Sequence, residues 1–156
     1  MKKVMFIASM GGHLTELLQM KKLFKYYDYM LVTEKHKSTI NLKEEYNDKV
    51  KYLLAGNKDH MLKYLFVIPV NIIKSIIYFL KFKPDVVVTT GAHTSVAMCY
   101  LAKIFKKKVI YIESFANIET RTLTGRLVYK IADVFIVQWK SLLKLYPNAK
   151  YEGWIF

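Results

Sequence analysis

Apolar and β-branched residues recur along the chain in short unbroken runs: at about 3–9 (KVMFIA), 28–33 (DYMLVT), 49–54 (KVKYLL), 85–90 (DVVVTT), 108–112 (KVIYI) and 133–138 (DVFIVQ). None alternates strictly with polar residues, the pattern of strands buried on both faces. Between them the spacing turns helical, with Leu14, Leu17, Leu18 and Leu23 in one segment, Val96, Ala97, Tyr100, Leu101 and Ile104 in another, and Leu127, Val128 and Ile131 in a third. Strands alternating with helices predict an α/β fold, a Rossmann-like doubly wound parallel sheet. Right-handed crossovers in the order 3-2-1-4-5-6 set the first and fourth strands side by side, and ligands of such sheets bind at the carboxyl ends where the winding reverses.

One segment exceeds what the sheet needs. MLKYLFVIPVNIIKSIIYFLKFKP, residues 61–84, holds about 22 residues of helix, roughly 33 Å, a membrane-spanning length. Lys63, Asn71, Lys74, Ser75 and Lys81 fall on one stripe and leave a broad apolar face, with Pro69 in mid-segment. That suits a helix lying in a membrane interface at about 61–83 better than one crossing it. A long core helix between the third and fourth strands is the alternative, and both hold if opposite faces serve sheet and lipid.

Composition narrows the partners. The 156 residues fit one domain, 1–156, and leave no room for a second of similar size. A formal charge of +13 points to phosphate or to an anionic membrane surface. Only Arg121 and Arg126 among the 25 basic residues are arginines, so nucleic acid, read largely by arginine, drops out. The single Cys99 sits in an apolar stretch and reads as a buried thiol in a reducing compartment. The opening MKKVMFIASMGGH superficially imitates an export signal, but its apolar run is short and ends at Gly-Gly, so a first strand is expected.

The candidate chemistry clusters after the strands. Gly11-Gly12-His13 lacks GxGxxG spacing, so no dinucleotide cofactor is expected; the glycines admit a close ligand, the helix start favours an anion, and His13 suits a general base or a hydrogen bond to phosphate or sugar. A plain turn with a partly exposed histidine accounts for it equally. TTGAHTS places Thr90, Gly91, His93 and Thr94 at the start of a later helix, fit for phosphate or sugar hydroxyls, with ordinary capping by Thr94 or Ser95 as the alternative. Glu113 and Ser114 end the fifth strand, with Arg121 and Arg126 downstream, within reach of a diphosphate or forming a solvated Glu-Arg pair. Glu34, Lys35, His36 and Lys37 read as a solvated loop. Histidines 13, 36, 60 and 93 are scattered, and no metal set is expected.

SMGGHLTEL, VVVTTGAHTSVAMCYLAKI, KVIYIESFANIETRTLTGRLVYKIADVFIVQW and YPNAKYEGWIF together cover most of the chain. They resemble the bacterial relatives of the membrane-anchoring subunit of the two-part N-acetylglucosaminyltransferase of asparagine-linked glycosylation, the CpsF- or EpsE-like enhancer subunits of capsular and exopolysaccharide glycosyltransferases. The resemblance implies the N-terminal half of a MurG-like GT-B enzyme, with the UDP-sugar held on a separate donor-binding glycosyltransferase subunit. It implies an undecaprenyl-diphosphate-linked sugar as acceptor, inverting transfer, and a peripheral place on the cytoplasmic face of the membrane. Carried over by residue, Gly11, Gly12 and His13 face the acceptor diphosphate, with His13 as the first choice of base and Glu113 the second; Thr90, Gly91 and His93 form the facing loop. Asn117 stands where many relatives have arginine.

Many eukaryotic relatives begin with a transmembrane anchor, and none is expected at the start of this sequence. Attachment is therefore expected from the 61–83 helix, through Lys63, Phe66, Ile73, Lys74, Ile77 and Lys81 on anionic lipid. Trp154, Ile155 and Phe156 are expected to meet the partner subunit. The competing reading is a self-sufficient small Rossmann enzyme or nucleotide-binding module for a soluble anionic substrate.

Overall fold

The computed structural model describes residues 1–56 and 61–155, with the side chains of 61–64 outside the description, so His60, Lys63 and Phe156 are not placed. Seven strands form one all-parallel sheet: β1 (Lys3–Ala8), β2 (Asp28–Lys35), β3 (Val50–Leu54), β4 (Val86–Gly91), β5 (Lys108–Ile112), β6 (Val134–Val137) and β7 (Lys150–Tyr151). Their order is β3-β2-β1-β4-β5-β6-β7. The first six match the runs read from sequence; β7, two residues in a polar tail, adds an edge that no hydrophobic run announces. The helices are α1 (Gly12–Gln19), α2 (Leu42–Tyr46), α3 (Met61–Phe82), α4 (His93–Ile104) and α5 (Leu123–Tyr129).

Each strand sends alternate side chains to two cores. On one face Met5, Ile7, Val87, Val109, Tyr111 and Phe135 pack with Phe79 of α3, Met98, Cys99 and Ala102 of α4, and Val128 of α5. Burial there pushes the Cys99 thiol up to about 12, so it is an inert core group. On the other face Phe6, Ala8, Leu31 and Val88 pack with Leu14 and Leu17 of α1, Phe24 and Tyr46. That second cover stops short. Beyond it Val86, Val88, Ile110, Ile112 and Ile136 floor an open apolar groove of about 270 Å³ on β4, β5 and β6.

The helix α3 is amphipathic in the reverse of the usual sense. Asn71, Lys74, Ser75, Tyr78, Phe79 and Phe82 form the stripe against the protein. The Asn71 amide accepts from Leu54 N at 2.8 Å and donates to Leu54 O at 2.9 Å, while Lys74 Nζ and Tyr78 Oη each donate to Tyr52 O at 2.9 Å. The cause is β3, an edge strand whose backbone groups have no strand beyond them and are satisfied by these side chains. The polar stripe thus holds the sheet, and the Lys74 ammonium is directed at it, away from the exposed face. That exposed face is apolar: Phe66 is 75%, Ile73 57% and Ile77 42% accessible. Lys81 is exposed as well. Leu65–Phe82 is long and apolar enough to cross a membrane, and only 11% of it is buried.

Candidate active site

The loops after β1 and β4 meet, as their adjacency requires. Ser9 N donates to Gly91 O at 3.0 Å. Gly11, with φ +85° and ψ −142°, occupies a backbone region open essentially to glycine alone, which turns the chain into α1. A β-carbon on Gly11 or Gly12 would meet nothing within 4 Å, so the loop faces open space.

His13 is fixed from two sides. Its Nδ1 lies 2.8 Å from Thr90 O, and Thr90 Oγ1 donates to His13 O at 2.6 Å. A carbonyl only accepts, so Nδ1 carries the hydrogen and the neutral ring keeps its lone pair on Nε2. Gly91, at φ +98°, has the His13 ring 3.3 Å from where a β-carbon would stand. The two Gly-His loops are therefore in contact at His13 and Thr90-Gly91.

Three carboxylates lie buried below these loops. Glu34, read from sequence as part of a solvated loop, is 2% exposed at the end of β2. It accepts from Thr94 Oγ1 at 2.9 Å and Met10 N at 3.3 Å, and lies 3.5 Å from His93 Nε2. Thr94 also bonds Ser9 Oγ. Thr94 is thus committed to the β1 and β2 loops, Ser95 donates to Ala92 O, and α4 begins with no side-chain cap. The burial of Glu34 was invisible in sequence because Lys35 and Lys37 just after it suggested solvent; its place at a strand end was the available signal.

Glu16, on α1 three residues after His13, accepts from Ser114 Oγ at 2.8 Å, Phe115 N at 3.0 Å and Gln138 Nε2 at 3.3 Å. It ties the first loop to β5 and β6. Glu113 is fully buried and receives Ser114 N at 3.0 Å, Thr122 Oγ1 at 3.0 Å and Tyr146 Oη at 3.0 Å. Burial raises both carboxyls above the usual range, opposed by those hydrogen bonds. Glu113 thus has no face open to a substrate and serves as an anchor for α5 and the chain near Tyr146.

The arginines lie apart. Arg121 donates to Leu145 O and sits over the Tyr146 ring, 5.4 Å from its centroid. It lines a groove with Arg126, Tyr100, Leu127 and Lys130 in which no residue of the His13 loop takes part. Asn117 bonds Thr120 within its own turn. Trp154 is 55% exposed and packs on Phe115 and Trp139, while Ile155 N donates to Gln138 Oε1 and its side chain joins the core below the open sheet face. Trp154 and Ile155 therefore pack on their own chain. Among the described residues no cluster of His, Cys, Asp and Glu is placed to hold a metal ion.

Residues 4–155 match the family model described as oligosaccharide biosynthesis protein Alg14 like. The chain belongs to that family. Among its relatives is the UDP-N-acetylglucosamine transferase subunit ALG14 of Yarrowia lipolytica, 29% identical over 97% of this chain and 80% of that protein. The Homo sapiens subunit of the same name is 35% identical over 46% of this chain and 36% of that protein. Both are eukaryotic, and neither carries the capsular setting that the sequence motifs suggest. Among solved structures, MurG of Acinetobacter baumannii superposes with TM-score 0.73 at 17% identity, over 90% of this chain and 43% of that one. A UDP-N-acetylglucosamine 2-epimerase from Rickettsia bellii gives TM-score 0.73 at 20% identity, over 99% of this chain and 45% of that one. The fold is the Rossmann-like N-terminal half of a GT-B glycosyltransferase, and this Alg14-like chain spans under half of those two structures.

Proposed function

We propose that this Alg14-like chain is the acceptor-binding, membrane-associated subunit of a two-component UDP-sugar-dependent glycosyltransferase acting on a lipid-diphosphate-linked sugar, undecaprenyl-linked and serving capsule or exopolysaccharide synthesis. The observation that carries it is the pairing of the His13 and Thr90-Gly91 loops at the carboxyl edge of a GT-B N-terminal half, beside a helix with an unpartnered apolar face. The Nδ1 contact leaves Nε2 to take the proton from the acceptor hydroxyl as the sugar is transferred, and Glu16 and Glu113 position the loops around it. The ALG14 relatives are named as transferase subunits, which supports a donor-binding partner on another chain. The open groove on β4, β5 and β6 is apolar surface that this partner can cover. Phe66, Ile73 and Ile77 would seat α3 in the cytoplasmic leaflet, with Lys81 at its anionic surface.

The test is His13→Asn, whose side-chain amide can still donate to the Thr90 carbonyl but offers no base. In the complete complex kcat falls about 10²–10⁴-fold, the usual contribution of a general base. Undiminished turnover removes His13 from the chemistry.

A further inference from the structure

The exposed face of α3 accounts for attachment to a bilayer, but not for the cleft behind it, between α3 and α4. Its long part, about 390 Å³, is walled by Ile68, Ile72 and Ile76 of α3 and by Val96, Tyr100 and Ile104 of α4. That volume falls within the range of about 300–1,000 Å³ of small-ligand sites. Because α4 has 12 residues, the cleft runs beside a helix about 18 Å long, a shape for an extended chain.

One end of the cleft is polar. A smaller recess of about 60 Å³ continues it past the shared residues Ile68, Ile72, His93 and Ala97 to Asn71, Ser75 and Thr94. Ser75 is 1% exposed, yet its hydroxyl has no hydrogen-bond partner among the described residues. A buried hydroxyl left without a partner is destabilising, so its place on the wall of a recess suits a ligand that satisfies it. His93 and Thr94, the first residues of α4, line this end, so the positive end of the helix dipole lies beside it. The Glu34 carboxylate near His93 is itself buried and held by Thr94 and Met10.

We propose that this cleft is a lipid subsite: the recess at Ser75 and His93 meets the anionic head, and the α3–α4 groove holds the first apolar units of the lipid chain joined to it. The inference rests on the reading of the acceptor as a lipid diphosphate. It adds that the protein grips the chain next to the diphosphate and does not leave the whole tail to the bilayer. This orients the head group toward the loop that carries His93, on the same β4–α4 connection whose Thr90 holds His13.

Calorimetric titration of the full chain with farnesyl diphosphate, farnesol and inorganic diphosphate tests it. Farnesyl diphosphate is expected to bind at least tenfold more tightly than either of the others. Ile76→Glu, on a partly exposed wall residue that the fold tolerates, and Val96→Trp, which narrows the long part of the cleft outside the recess, each weaken it at least tenfold and leave diphosphate binding unchanged. Phe66→Ser, on the outer face of α3, leaves all three unchanged. The subsite is overturned by farnesyl diphosphate binding no tighter than diphosphate or no tighter than farnesol, by wild-type affinity in both cleft variants, or by an equal loss in Phe66→Ser. Failure of the underlying acceptor reading shows separately, as absence of sugar transfer to any lipid diphosphate by the complete complex.

Discussion

Gly125 lies in α5 where the helix passes over Glu113, and replacing it by alanine sets two effects of opposite sign against each other. In an open helix the change stabilises by about 1 kcal/mol, the difference in helix propensity. Here the added methyl would stand well inside contact distance of Glu113 Oε2, 2.5 Å from Tyr146 Oη and 2.8 Å from Thr122 Oγ1. Those atoms are not free to swing away: Thr122 and Tyr146 both donate to Glu113 at 3.0 Å, and Thr122 Oγ1 also caps α5 by accepting from Gly125 N at 2.9 Å. Overpacking costs about 1–3 kcal/mol. Loosening one hydrogen bond to the carboxylate costs about 1.5–3 kcal/mol more. The clash outweighs the propensity gain, for a net loss of about 1.5–5 kcal/mol. A domain of this size loses about 2–4 °C per kcal/mol, so Tm falls by about 3–20 °C. Thermal unfolding followed by circular dichroism reads this directly. A Gly125→Ala chain that melts with the wild type, or above it, refutes the packed carboxylate cluster as described.

Two further outcomes follow from the same structure. Burial raises the Glu113 carboxyl above its ordinary value, so its stability contribution is complete at acid pH and is lost as pH rises through the folded pKa; Glu113→Gln should flatten the fall in unfolding free energy as pH rises above the ordinary carboxylate range. Glu16 is shifted the same way and keeps part of that slope, while identical pH profiles for variant and parent contradict the assignment. For α3, the triple change Phe66→Ser, Ile73→Ser, Ile77→Ser removes apolar surface that the fold does not use, so Tm stays within a few degrees while co-sedimentation with anionic phospholipid vesicles drops at least tenfold; retained sedimentation places the membrane contact elsewhere.

Much of this was legible because it lies in short-range patterns. The unbroken runs VMFIA and VVVTT fix β1 and β4 as central strands, and once these are neighbours the two Gly-His loops must meet, so the contact of His13 with Thr90 follows from topology. The buried acids were not legible, because the environment of Glu34, Glu16 and Glu113 is assembled from positions far apart in sequence, such as Thr94 over Glu34 and Gln138 over Glu16. The sense of α3 escaped for a related reason. Periodicity finds a polar stripe but cannot tell whether water or a strand edge satisfies it, and Asn71 and Lys74 turned out to serve β3. Arg121, close in sequence to Glu113, donates to Leu145 and sits over Tyr146, and Arg126 on α5 lines the same groove, apart from the His13 loop.

The central claim is that this chain is the acceptor half of a divided GT-B enzyme. It is tested most directly by the rate of sugar transfer from UDP-N-acetylglucosamine and related UDP-sugars to a lipid-diphosphate-linked acceptor, measured with this chain alone, with a donor-binding subunit alone, and with both. Turnover should need both chains, each alone giving at most a trace. Full turnover by this chain alone, or by the donor subunit without it, contradicts the account.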